Sequence, residues 1–211
     1  MPVRILLASG SPRRREILDQ IGVPHIVVSQ TATELSGGLP PRRLAHENAR
    51  RKARSAVLPD ATSEHTPKPK ASLRDVVVGV DTIVVLGTRV LGKPRDARES
   101  RGMIEALSGR SHEVISAIHL EIPGRGGRSV TLAASTLVTF RRLSEREIRW
   151  YVNTGEGRDK AGAYGIQGLG AVLVERIDGD YYNVVGFPIA TFLRGLERLG
   201  VQCPGRAVRL A

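Results

Sequence analysis

Val76-Val77-Val78-Gly79-Val80-Asp81-Thr82-Ile83-Val84-Val85-Leu86 is the stretch whose reading decides the fold. An apolar run of this length, crowded with β-branched residues, reads as one buried strand or as two strands meeting at a kink. Asp81 interrupts it. A carboxylate inside such a run must be hydrogen-bonded, paired or bound to a cation, because burying it alone is prohibitive. A turn would favour Gly, Pro or Asn beside it, and Val80 and Thr82 stand there instead. The next stretch, Gly92-Lys93-Pro94-Arg95-Asp96, brings cations into the same neighbourhood. A carboxylate at a strand end with a Lys and an Arg close by suits a divalent metal and a polyphosphate.

Working outward, Val3 to Ala8 reads as a first strand and Ser11 as the N-cap of a helix with Pro12 in its first position, closed by Gly22. His25 to Ser29 reads as a second strand, and Pro41 to Val57 as a helix with a basic face. Pro59 to Ser72 is Pro/Ser/Thr-rich and reads as a mobile loop. Beyond the central run, Arg89 to Leu91 is a short strand and Ala97 to Leu107 a helix. Ser111 to Ile122 and Ser129 to Arg141 are two long strands joined by a hairpin at Pro123 to Gly127. Ser144 with Glu147 forms a capping box for a helix to Val152. Gly155 to Gly170 is glycine-rich and irregular. Ala171 to Ile177 and Tyr181 to Val185 read as strands around an Asp178-Gly179 turn, and Pro188 opens a last helix to about Leu199. Long strands mixed with helices predict an α/β fold, a mixed twisted sheet with flanking helices. One domain covers residues 1–200, and 201–211 form a frayed C-terminal tail.

With 211 residues, 41% of them hydrophobic, the chain can build one full α/β core. No apolar stretch is long enough to cross a bilayer, no signal peptide opens the chain, and a cytoplasmic location follows by default. The single Cys203 excludes an internal disulfide or a cysteine metal cluster. A net charge of +11 invites a nucleic-acid partner. The arginines are nevertheless spread along the whole chain, Lys occurs only at 52, 68, 70, 93 and 160, and aromatic stacking residues make up 4%. That pattern argues for a solvated basic surface and against nucleic-acid binding.

Three stretches carry chemistry. Ser9-Gly10-Ser11-Pro12-Arg13-Arg14 joins a strand to a helix start, where free amides, hydroxyls and guanidinium groups serve an oxyanion. Gly87 to Lys93 has the spacing of a P-loop, but Pro94 stands where the magnesium-binding Ser or Thr belongs, and the match is rejected. Asp159 to Gly170 is a glycine-rich loop with Lys160 and Gln167, and a Gln amide can pair with the edge of a base. His25, His46, His65, His112 and His119 are scattered, without metal spacing.

Together these stretches resemble the Maf family of nucleoside triphosphate pyrophosphatases. The matching segments, in family order, are Ala8 to Arg14, Ala49 to Ala53 with Lys52, Gly79 to Val84, Gly92 to Ala97, Leu107-Ser108-Gly109 and Asp159 to Gly168. The resemblance implies two lobes around a central cleft, akin to the inosine triphosphatase architecture, and hydrolysis of a nucleotide to its monophosphate and pyrophosphate. It assigns the catalytic carboxylate to Asp81 and places Arg13, Thr82 and Gln167 at the positions that distinguish the dTTP/UTP branch, with modified pyrimidine nucleotides as further candidates. On the same basis Ser9, Gly10, Arg14, Lys52 and Lys93 bind phosphate, and Asp81 and Glu34 hold Mg²⁺ or Mn²⁺. Whether Asp81 acts as base, as metal ligand or as both stays open. The loop from Gln30 to Glu34 departs from the family pattern. A homodimer belongs to the same expectation. The competing reading is a nucleic-acid-binding or septum-formation regulator without turnover, motivated by the +11 charge.

Overall fold

The central run forms a single strand without a kink. In a computed structural model that describes residues 3–58, 74–124 and 126–203, it spans Arg74–Leu86 as β3. The loop expected at Pro59 to Ser72 lies outside the described residues. The first strand, β1 (Val3–Ala8), lies parallel to β3 on one edge, and β2 (His25–Val27) lies parallel to β1. The short β4 (Arg89–Leu91) turns back antiparallel onto the same edge of β3 at Val84 to Leu86. Along its other edge β3 pairs antiparallel with β5 (Ser111–Glu121), β5 with β6 (Ser129–Phe140), and β6 with β7 (Val174–Asp178). The order β2-β1-β3-β5-β6-β7, with β4 beside β3, is the mixed sheet that the sequence predicts.

Pairing on the β1 side of β3 has a break. β1 ends with Ala8 opposite Gly79, and β4 begins opposite Val84. Residues 80–83, Asp81 among them, are left without a strand neighbour there. The chain leaves β1 into α1 (Pro12–Gln20), entered through Ser11 with no capping bond from its side chain.

Side chains alternate between the faces of β3. Val76, Val78 and Val80 join Ile5, Leu7, Ile118, Leu120, Phe187 and Phe192 in one core. Further along the same face, Val84 joins Val114, Val138, Phe140, Ile104 and Tyr164 in a second. The sheet thus carries two apolar centres, with the polar Thr82 between them. The opposite face is covered by α2 (Pro41–Arg54), whose Ala45, Ala49 and Ala53 lie on Ile83, Val85, Ala117 and Val77. Contact is closest at Gly79, where a methyl group would stand 2.2 Å from the Ala49 carbonyl oxygen. Helices α3 (Ala97–Leu107) and α4 (Glu145–Thr154) complete the second centre. Asp96 caps α3, and α4 has the Ser144–Glu147 box expected from its sequence.

Two expectations near the C-terminus are corrected. Tyr181–Val185 is not a strand but a helix, α5: the Asp180 carboxylate caps it at the Tyr182 N–H, and buried Asn183 bonds across the sheet. Those polar contacts outweigh the strand propensity of Tyr and Val. Residues 168–173 form 3₁₀ turns, so the strand expected from Ala171 begins at Val174. After α6 (Ile189–Arg198), Val201 is buried in the first core with its N–H on Leu196 O, and the rest of the expected tail, 204–211, lies outside the described residues.

Gly79→Ala should force α2 off the sheet. Overpacking of this kind costs about 1–3 kcal/mol, and a Tm lower than that of the unaltered protein by thermal denaturation checks it.

Candidate active site

The break in β3 opens into a cleft of about 710 Å³. Its walls come from the β1–α1 loop, the segment around Glu34, α2, the turn after β4 and the glycine-rich loop. Arg13, Arg14, Lys52, Lys93 and Lys160 line it, against Glu34, Asp81 and Asp159. Cations therefore outnumber carboxylates, as a polyanion site requires.

Arg14 occupies the end of β1. Its Nη1 donates to Val80 O at 2.9 Å, a carbonyl at the break, and to Ser9 Oγ at 2.8 Å. Its Nε donates to Gly186 O at 3.0 Å and its Nη2 to Thr82 Oγ1 at 3.2 Å. One guanidinium thereby ties together β1, β3 and the α5–α6 turn. Burial draws it down to about 10. Arg14 is largely spent within the protein. Ser9, Gly10 and the start of α1 form the adjoining cleft wall.

Asp81 points to the α2 face and is only 4% exposed. Its Oδ1 accepts from Lys52 Nζ at 2.7 Å and its Oδ2 from Asn48 Nδ2 at 3.2 Å. Lys52 Nζ lies 2.7 Å from Glu34 Oε1 as well, and Lys93 Nζ lies 3.6 Å from that same oxygen. Burial pushes the Glu34 carboxyl up, but the Lys52 hydrogen bond and charge, backed by Lys93 and Arg14, hold it below its ordinary 4.5. Asn48 also fixes the Glu34 segment, exchanging bonds with Leu35 N and O at 2.8 and 3.1 Å.

No cluster of three or more His, Cys, Asp or Glu able to hold a metal occurs among the described residues. Asp81 and Glu34 form a pair instead, with an oxygen of each already on a single ammonium. Two carboxylates lining a cationic cleft fit Mg²⁺, which takes one or two carboxylates and fills its remaining positions with water and phosphate oxygens.

Across the cleft, Asp159 contacts Arg13 at 3.7 Å and Lys160 at 2.6 Å. The Glu156 carboxylate holds the far end of the glycine-rich loop, accepting from Leu169 N, Gly170 N and Tyr151 Oη. The loop folds so tightly that a methyl group at Gly170 would lie 2.1 Å from Gly165 O. Gln167 is thereby presented to the cleft.

Ser9, Gly10, Arg13, Arg14, Glu34, Lys52, Asp81, Thr82, Lys93 and Gln167, all singled out in the sequence, line this one cleft. Asn48 and Glu156 were missed. Asn48 stands one turn before Lys52 on the inner stripe of α2, and a polar residue in that stripe is the signal that marks it. Glu156 left none, since its partners are backbone amides brought close only by the loop's fold. No histidine among the described residues lines the cleft; His112 is buried on Tyr164 and held down to about 4 by burial. The basic face of α2 is partly neutralised, with Arg50 and Arg51 on Glu47 and Arg54 on Glu121.

Fold and cleft together define an α/β protein with a cationic, carboxylate-bearing pocket at the gap between β1 and β4 beside β3. Residues 4–199 match the family model described as "Maf-like protein", and the chain belongs to that family. A Bacillus velezensis protein named dTTP/UTP pyrophosphatase is 43% identical over 203 residues, covering 96% of this chain and all of that one. Proteins of the same name from Deinococcus radiodurans and Thermus thermophilus are 43% and 44% identical. They cover 96% and 88% of this chain, and 96% and 89% of their own. A solved structure of a nucleoside-triphosphatase / dITP/XTP pyrophosphatase from Mycobacterium abscessus aligns over 94% of this chain and 97% of that one. Its TM-score is 0.40 at 16% identity, too loose a likeness to argue from.

Because the folded protein holds the Glu34 carboxyl down, the unfolded chain binds its proton more readily. This contribution to stability is present above pH 4.5 and disappears as pH falls through the lower folded value. Denaturation midpoints measured from pH 6 down to about 3 should show a shallower acid decline for Glu34→Gln than for the unaltered protein.

Proposed function

We propose that this protein is a nucleoside triphosphate pyrophosphatase acting on dTTP and UTP, with modified pyrimidine nucleotides within its range. The observation that carries the reading is a buried carboxylate, Asp81, held by Lys52 and Asn48 at the open edge of a cationic cleft. It occurs in a chain that matches dTTP/UTP pyrophosphatases along nearly its whole length. Water attacks the α-phosphorus, the bond to the bridging oxygen breaks, and pyrophosphate leaves with the nucleoside monophosphate as the other product. In this reading Asp81 takes the water's proton. Lys52 and Lys93 offset the charge that builds on the phosphates. Ser9 Oγ and the backbone around Gly10 seat a phosphate, and Arg14 keeps that loop in place. Asp81 and Glu34 would hold a divalent cation, Mg²⁺ or Mn²⁺, which would supply positive charge for the triphosphate. Arg13, Thr82 and Gln167 face the nucleoside, where the Gln167 amide offers both a donor and an acceptor to a base edge. A single catalytic domain over residues 1–200, a homodimer and a cytoplasmic setting complete this reading.

Pyrophosphate release from a panel of nucleoside triphosphates with Mg²⁺ or Mn²⁺ tests the activity, and dTTP and UTP should lead it. Asp81→Asn keeps the shape and loses the charge. Its kcat should drop by about 10² to 10⁴ with the circular dichroism spectrum preserved; turnover near that of the unaltered protein would remove Asp81 from the chemistry.

Lys93 is mostly exposed, with a loose contact to Glu34. Lys93→Ala should therefore leave Tm within about 1 °C, as surface changes do, while kcat/KM falls at least tenfold, about the worth of one charge-assisted hydrogen bond. A lowered Tm with intact turnover would make Lys93 a structural residue.

A further inference from the structure

The hydroxyl chain beneath Thr82 runs in one direction only, and its sense follows from its end. In α5 the Asn183 carbonyl is a helix-end acceptor: the Phe187 N–H that a continuing helix would offer it goes to Tyr182 O instead. Ser116 Oγ lies 2.8 Å from Asn183 O, and Ser116 is fully buried. A carbonyl only accepts, so the Ser116 hydroxyl proton is committed to it. Thr82 Oγ1 lies 2.9 Å from Ser116 Oγ, which has no second proton, so Thr82 donates there. Thr82 Oγ1 in turn accepts from Arg14 Nη2 at 3.2 Å, and a guanidinium only donates. The Thr82 proton is therefore used inside the protein, and what Thr82, which lines the cleft, has left to offer a ligand is a lone pair.

We infer that Ser116 and the Asn183 carbonyl are positioning groups that lock Thr82 as a hydrogen-bond acceptor, selecting a base with an imide N–H. This rests on the pyrophosphatase reading for the kind of ligand, and goes beyond it in saying how the base is chosen. Thr82 has no proton to offer a phosphate oxygen, so the phosphates run from Ser9 toward Lys52 and Lys93 beside Asp81, which projects from the opposite face of β3. The Thr82 face is left for the nucleoside. Uracil and thymine present N3–H there as a donor, whereas cytosine presents an unprotonated N3 that meets the Thr82 oxygen lone pair to lone pair. The network holding Ser116 is rigid. Its own N–H donates to Asn183 Oδ1 at 3.0 Å, and Asn183 Nδ2 donates to Val114 O and Thr136 Oγ1, both at 2.9 Å.

Two variants test the lock. Ser116→Ala removes the acceptor of the Thr82 proton and frees that hydroxyl to turn and donate to cytosine N3. Thr82→Val removes the oxygen altogether and decides the matter if Ser116→Ala does not fold. Dissociation constants for α,β-methylene UTP and α,β-methylene CTP, by calorimetry, give the readout without requiring turnover. The unaltered protein should favour the uridine analogue by about tenfold or more, the scale of one mismatched buried hydrogen bond. In either variant that ratio should fall to within about threefold of unity, the cytidine analogue binding no worse than before. Equal weakening of both analogues would mean that Ser116 serves the fold alone and would overturn the inference, as would a preference unchanged in a folded variant. If the analogues bind selectively but UTP yields no pyrophosphate, the pyrophosphatase reading fails while the lock stands. If neither analogue binds, both fail.

Discussion

The structure depends on where β1 stops. Its last pair, Ala8 with Gly79, leaves Val80 to Ile83 unpaired before β4 resumes at Val84. Unpaired strand edges carry polar groups that need partners. Here the need is met from within by Arg14, which gives Val80 O a donor and spends its other bonds on Ser9, Thr82 and Gly186. Because a guanidinium rather than another strand closes the edge, space for a ligand remains beside it. The buried charge is sustained by three oxygen-rich elements converging on it and by Asp81 and Glu34 nearby.

The two faces of β3 divide the labour at this point. Asp81 turns toward α2 and shares Lys52 with Glu34 in a charged centre. Thr82 turns the other way, into a neutral hydroxyl chain that ends on a helix carbonyl. Adjacent residues in a strand diverge, so one dipeptide presents a charged group on one face and a neutral hydroxyl on the other. Gly79, two residues earlier, allows α2 to approach closely enough for Asn48 and Lys52 to reach Asp81.

Much of this was legible in the sequence because it is local. The β-branched run determined β3, and Asp81 within it announced a partner. The Ser144–Glu147 box sets a helix start by bonds within a single turn. The order of short motifs named the family, and with it the residues that line the cleft. Tyr181 to Val185 was misread because its composition favours a strand; the local signal was the Asp180 cap, and the groups that anchor its buried Asn183, Thr136 and Val114 O, lie on distant strands.

What only the tertiary structure decided are the relations between distant segments. Sequence identifies Arg14 as a cation beside a phosphate-type loop. Only the fold shows its hydrogen bonds committed to Val80, Thr82 and Gly186, up to 172 positions away. Likewise Thr82 is written in the chain as a hydroxyl able to donate or accept. The direction it takes depends on Ser116 and on a carbonyl of α5, brought beneath it by sheet register and helix docking. Residue type sets which bonds a group can make; the packing of remote elements decides which of them remain for a ligand.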